Sequence, residues 1–394
     1  MSRAVVIGGG ITGTLTAVAL LREGFEVVLL EGLHVGAGSS SRTAAGIRQQ
    51  FSTRETVIGM RYSVQTYAQW TLGDQSPIQQ NGYLFLYDDE AAWQAASKRV
   101  ELQRGWGLQE VEARGPDALP AWVEGAVGGT FCPTDGFLRP EIVYNDASAF
   151  VRQRGRLLQN APVVSAEHAG GRLVAVEARG ERIEGDLFFD CTNAWTRRVG
   201  PVLGGVDLPV EALKRYLWFL ERGDALSAET LLSMPLVIAP SGAYCRPENA
   251  GSLMLGWKHD ARDESASFSY DDQDEIEVEH YHKSGIDARP YEAWMALAEV
   301  IPELADFAGI SATTGGFYGT TPDHNPFLDV DPQVANLVRL VGFSGHGAMF
   351  GPFTAEAAVA LARGDDHVTL LGEKLSLEAF RIGRDFGHAE AMVI

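Results

Sequence analysis

The chain has 394 residues, 45% of them hydrophobic, which suits more than one packed core and excludes a disordered chain. Asp and Glu outnumber Lys and Arg by 52 to 32, a net charge of −20. Such a surface repels phosphate backbones and anionic lipid, so nucleic acid and membranes are not expected as partners. Cys132, Cys191 and Cys245 lie far apart with no C-x-x-C, which argues against a disulfide framework or a zinc site. No apolar run reaches the ~18 residues of a membrane span. The first strand is expected from residue 4, which leaves no room for a signal peptide, so the expected location is cytoplasmic.

Ala4-Val5-Val6-Ile7 reads as a buried strand. Gly8-Gly9-Gly10-Ile11-Thr12-Gly13 follows, with glycines at the three positions of G-x-G-x-x-G. Residues 14–23 carry helical spacing and stop at Gly24, and Glu26-Val27-Val28-Leu29-Leu30 is a second strand ending on Glu31. This is a complete βαβ unit for a dinucleotide. Gly8 permits the tight turn, Gly10 lets a pyrophosphate approach the backbone, and Gly13 lets helix and strand pack. The helix N-terminus offers N–H groups to phosphate, and Glu31 can accept from a ribose.

A loop of small residues, 36–46, comes next, suited to a flat ring lying against the backbone. Residues 56–70 and 91–106 read as helices, and 82–87 as an aromatic strand. Residues 135–140 read as a turn leading to a helix over 141–156. Residues 163–177 form a hairpin around Gly170-Gly171, and 186–191 a buried strand. Residues 208–221 and 236–257 are strand-like and aromatic. An acidic stretch, 260–279, reads as loop, and 291–300 as helix. A last apolar strand, 337–343, precedes Ser344-Gly345-His346-Gly347, with a helix expected from Pro352 to about Arg363. The simplest account is an α/β fold: a Rossmann-type domain interleaved with a sheet-rich α+β domain. The expected boundaries are 1–80, 136–208 and 312–394 for the cofactor domain, and 81–135 and 209–311 for the substrate domain.

Several motifs together resemble the D-amino-acid oxidase, sarcosine oxidase and glycine oxidase superfamily of FAD enzymes. Ala45-Gly46-Ile47-Arg48-Gln49-Gln50-Phe51-Ser52 is similar to that family's segment beneath the flavin. Asp135-Gly136-Phe137-Leu138-Arg139-Pro140 resembles D-G-x-x-x-P, and Cys191-Thr192-Asn193-Ala194-Trp195 stands where A-A-G-A-W is usual. Tyr244-Cys245-Arg246-Pro247-Glu248 resembles Y-x-R-P-E. Residues 321–326 match T-P-D-x-x-P, and 342–347 match G-x-x-G-H-G. The motifs span nearly the whole chain in family order.

The resemblance implies an FAD enzyme that oxidises the C–N bond of a small carboxylated amine by hydride transfer to flavin N5. Expected electron acceptors are oxygen or another oxidant. The implied cofactor residues are Gly8, Gly10, Ile11, Thr12, Gly13, Glu31, Gly32, Ser39, Ser40, Ser41, Arg42, Ala45, Gly46, Val164, Thr192, Asn193, Trp195, Gly345, His346, Gly347, Ala348 and Met349. Arg48 and Arg246 are the candidate carboxylate clamps, because the guanidinium fork is bidentate. Tyr244 and Tyr318 are candidate orienting hydroxyls. No metal-ligand spacing is present. The two positions at which relatives tether FAD fall on Thr43 and Gly316, so the flavin is expected to be non-covalent. Met254 stands where efficient oxidases carry a lysine over the ring, with Lys258 four residues on. Oxidation of a 2-hydroxy acid, or service as the flavin-bearing subunit of a larger dehydrogenase, are the alternatives.

Overall fold

The computed structural model describes residues 2–257, 276, 289–387 and 389–392. It begins with a strand, β1 (Arg3–Ile7), a helix, α1 (Ile11–Arg22), and a second strand, β2 (Glu26–Leu30). β1 pairs in parallel with β2, Val5 opposite Val28, and on its other side with Leu187–Asp190, Val6 opposite Phe189. Leu337–Val341 extends this sheet in parallel, Arg156–Leu158 closes one edge, and Phe327–Val330 closes the other, antiparallel. These strands are near-continuous apolar runs because both faces are covered. One face carries α1 and Gly347–Ala362, and the other carries the Val163–Ala169, Arg172–Ala178 hairpin. The expected strand returns are all present.

The second sheet has eight strands, with Gly309–Thr320, Glu211–Glu221, Ser252–Trp257, Ala243–Asn249, Leu236–Ile238 and Tyr83–Tyr87 as consecutive neighbours. Alternate residues point to opposite faces. Tyr216, Trp218, Leu253 and Leu255 pack toward the Arg289–Ala298 helix. Leu217, Phe219, Tyr244 and Met254 pack on the other side, with Ala44 against them. That second face looks at the loop that carries Ala44.

Three expectations change. The boundary expected at residue 312 falls inside Gly309–Thr320, which pairs along its length with Glu211–Glu221 from Gly309–Glu221 to Thr320–Glu211. Gly136–Leu138, expected as a turn, is a strand between Gly46–Ile47 and Ile78–Gln79 and ties the flavin-side segment to the rest. The helix expected from Pro352 starts at Gly347 and carries Pro352 inside it. Proline has no N–H to give the carbonyl four residues back, which is that of Ala348. The Tyr67 hydroxyl donates to Ala348 O instead, at 2.7 Å. The acidic stretch 260–279 lies, apart from Ile276, outside the described residues, as does Lys258. Among the described residues no helix is long and apolar enough to cross a membrane.

Candidate active site

The β1–α1 turn is built by its glycines. Gly8 has φ +108°, a region that side chains rarely adopt. A Cβ on Gly13 would lie 1.8 Å from Gly8 O. No side chain caps α1 at Gly10, so most of its first N–H groups stay available, while Ile11 N donates to Ser40 Oγ at 3.0 Å. Glu31 Oε2 accepts from Gly9 N at 2.7 Å and Oε1 from Leu33 N at 2.8 Å. The acid thus braces the loop and keeps spare lone pairs for hydroxyl donors.

These groups open onto a cavity of about 610 Å³, within the usual range for small-molecule sites. Gly8, Gly10, Ile11, Thr12, Glu31, Gly32, Ser39, Ser40, Arg42, Thr192, Asn193, Trp195, Gly345, Gly347 and Ala348 line it. Gly13 lies beneath, in the helix–strand packing. Two expected positions are corrected. Ser41 is exposed and outside the cavity. Val164 is 60% exposed, pointing away, and its neighbour Val163 lines the wall. The alternation of a strand accounts for the one-residue difference. Arg198, which the sequence reading did not single out, also lines the cavity.

A second, small compartment of about 40 Å³ adjoins it. Its walls include Thr43, Ala45, Gly46, Tyr83, Leu236, Tyr244, Tyr318, His346, Ala348 and Met349. The first turn of Gly347–Ala362 reaches both cavities, so the positive end of a helix dipole faces them. Three non-glycine residues here have positive φ: Ala45 at 53°, Asn193 at 48° and Ser344 at 49°. Asn193 stands where glycine is usual and keeps the backbone conformation glycine would have. Its Oδ1 accepts from Gly342 N at 3.1 Å and Phe343 N at 3.2 Å, stapling the turn before the helix.

Arg48 is fully buried, and burial lowers its pKa. Nη1 donates to Gln50 O, and Nη2 donates to Met392 O and faces His346 Nε2 at 3.3 Å. The guanidinium lies 3.9 Å from the Phe51 ring centroid, and its Nε has no partner. Among the described residues no carboxylate lies within ion-pair distance of it. Arg246 is differently placed. It donates to Ala44 O at 2.6 Å and Pro247 O at 2.9 Å, and pairs with Glu248 at 2.8 Å. Its Nε and Nη1 brace the loop that carries Ala44 and hold Pro247 O and Glu248.

The Tyr244 and Tyr318 side chains both line this compartment, and burial raises both pKa values, so they stay protonated. Burial lowers the His346 pKa well below its usual value, with the Arg48 charge acting in the same direction. The imidazole is neutral at pH 7. Met254, 6% exposed, lies on the same sheet face beside Tyr83 and Tyr244.

The residues present fit a flavin dinucleotide. The uncapped helix N-terminus and glycine turn suit a pyrophosphate, and Glu31 suits a ribose. The larger cavity runs on from the glycine turn to Thr43, Tyr318, Gly345 and the first turn of Gly347–Ala362, which leaves room for a flat ring. A Cβ at Gly10 would sit 2.8 Å from Ser40 Oγ, at the wall of that cradle. Fold and site together define an α/β protein with a dinucleotide-type binding site. The chain belongs to the FAD dependent oxidoreductase (DAO) family, whose model matches residues 3–361. It is 26% identical to FAD-dependent oxidoreductase domain-containing protein 1 of Xenopus laevis, over 91% of this chain and 78% of that protein. It is 23% identical to N-methyl-L-tryptophan oxidase of Salmonella arizonae, over 91% and 94%. Its fold is similar to L-proline dehydrogenase from P. horikoshii, with a TM-score of 0.81 and 25% identity over 94% of this chain and 96% of that one. The protein is an FAD-dependent oxidoreductase.

Proposed function

We propose that the enzyme oxidises the C–N bond of a small carboxylated amine: sarcosine, glycine, a D-amino acid, proline or an N-alkylated relative. The observation that carries this reading is Arg48. A buried guanidinium hydrogen-bonded to main-chain carbonyls, with the Glu390 and Asp135 carboxylates acting on it only from beyond ion-pair distance, is poorly compensated, and that is costly unless an anion joins it. Relatives named for oxidising proline and N-methyltryptophan, both carboxylated secondary amines, point to the same class.

FAD held by the β1–α1 glycine turn, Glu31 and the first turn of Gly347–Ala362 would supply the hydride-accepting, two-electron chemistry. Arg48 holds the substrate carboxylate as a bidentate charge-assisted pair. Tyr244 and Tyr318, as neutral phenols, orient the amine. The face of Leu217, Leu236 and Met254 keeps water from the reacting carbon. His346 stays neutral and adds no repulsion against Arg48. The first turn of Gly347–Ala362 favours negative charge arriving beside it. The imine product hydrolyses in water to a carbonyl and an amine, which separate when the substrate is acyclic and stay in one molecule when the imine is a ring, as with proline.

The test is anaerobic titration of the purified holoprotein with amino acids, N-methyl amino acids, proline and 2-hydroxy acids, following the flavin absorbance. Bleaching by the amines is expected, with release of ammonia, methylamine or formaldehyde from the acyclic ones. Bleaching by hydroxy acids alone would replace this reading with alcohol oxidation. Acid precipitation should leave FAD in the supernatant, since Thr43 and Gly316 offer no tethering side chain.

A further inference from the structure

The two carbonyls on Arg48 differ in origin. Gln50 O lies two residues on in the same turn. Met392 O comes from 344 residues away along the chain and takes Nη2. The segment that brings it is tied to the flavin-side loop. Glu390 accepts from Ser52 N at 3.0 Å and from Met392 N at 2.9 Å, and Ala391 N donates to Ser52 Oγ at 3.1 Å. The Met392 side chain, 7% exposed, packs with Tyr83, Leu236, Tyr244 and Met254. Tyr83, Leu236 and Tyr244 are walls of the smaller compartment. One residue therefore places its carbonyl on the carboxylate clamp and its side chain beside the tyrosine wall.

Resting on the carboxylated-amine reading above, we propose that residues 390–392 are an internal occupant of the substrate site, displaced when a substrate carboxylate takes Arg48. The exchange has a clear driving force. A neutral carbonyl satisfies one N–H, and the Glu390 and Asp135 carboxylates act on the guanidinium only from beyond ion-pair distance, whereas a bound carboxylate satisfies Nη2 and the idle Nε together and pairs with the charge directly. Departure of Met392 also vacates space beside Tyr244 for the substrate's own side chain. The closed segment lowers apparent affinity in proportion to its population, so loosening it tightens binding.

The experiment uses the FAD-loaded enzyme and acetate as the probe. Acetate affinity is read by calorimetry, and amide hydrogen exchange is followed across residues 390–392. In the wild type, saturating acetate should speed exchange at Ala391 and Met392 by about tenfold or more, as expected for losing a charge-assisted contact. Glu390→Ala, which removes the acceptor of Ser52 N and Met392 N together with a negative charge that acts on Arg48, should bind acetate about tenfold more tightly. Ser52→Ala, which removes only one contact to the segment, should move both readouts in the same direction by less. Equal acetate affinity in wild type and both variants, with residues 390–392 still protected, would overturn the proposal while leaving the carboxylate reading standing. Acetate binding to none of them would remove the carboxylate reading and this proposal with it.

Discussion

Arg48 shows how much one buried side chain can decide. Its fork serves two carbonyls, a neutral imidazole and an aromatic face, and still keeps one nitrogen idle. Lysine cannot reproduce that geometry. Arg48→Lys should keep FAD but lose roughly 2–4 kcal/mol of substrate affinity, measured by anaerobic flavin titration. Lost FAD with unchanged affinity in the remaining holoenzyme would make Arg48 a cofactor residue. Asp135, behind it, sets a pH dependence. It is fully buried, and burial pushes its pKa to about 7 against the pull of hydrogen bonds from Gln49 and Gln50. A raised carboxyl pKa means that the native state holds a proton the unfolded chain has released. The stability this contributes is present below the unfolded value near 4 and is lost as pH rises toward 7. Wild type should therefore lose roughly 2–4 kcal/mol relative to Asp135→Asn between pH 4 and 8, read from urea melts. Parallel pH profiles would show that Asp135 is ionised throughout.

The Gly347–Ala362 helix depends on a neighbouring element for its integrity. Pro352 breaks its ladder one turn from the start, and Tyr67, on the Arg54–Ala68 helix, supplies the missing donor. The turn so repaired is the one that faces both cavities. Tyr67→Phe leaves the Ala348 carbonyl without that donor and should cost about 1–2 kcal/mol of stability, with weaker FAD binding as the first turn loosens. Calorimetric melting of apo and holo protein separates the two effects. An unchanged apo melting temperature would mean that the hydrogen bond adds nothing. Asn193 performs the parallel task on the other side of the turn by holding the Gly342 and Phe343 amides.

At the scale of the molecule, the site exists because one face of the eight-stranded sheet is laid over the loop that leaves β2. That face is apolar and aromatic, and it carries Met254 where the resemblance puts an oxygen-activating lysine. A cation beside reduced flavin favours electron transfer to oxygen, and a thioether does not. The reduced enzyme is therefore expected to react slowly with oxygen and to pass electrons to another acceptor. Met254→Lys should accelerate reoxidation by about tenfold or more, measured by mixing substrate-reduced enzyme with oxygenated buffer in a stopped-flow instrument. Wild-type reoxidation far faster than that of free reduced flavin would contradict the dehydrogenase expectation. An unchanged rate in the variant would place residue 254 away from the ring.

The βαβ unit was fully legible in the sequence. Its glycines are required by local sterics, Gly13 because any Cβ there meets Gly8 O, and local sterics need no knowledge of distant residues. The buried parallel strands were legible for a similar reason: uninterrupted apolar runs have few other places to go. The partners of Arg48 and Arg246 were not. Both are arginines in family motifs, yet one keeps an idle nitrogen and the other holds Ala44 O and Glu248. The start of the last helix was also hidden, because Pro352 reads locally as a helix beginning, and only the tertiary contact with Tyr67 lets the helix run through it. Local geometry is written in neighbouring residues. Whether a buried donor is satisfied, and by what, depends on chain segments hundreds of residues apart, and those meet only in the folded protein.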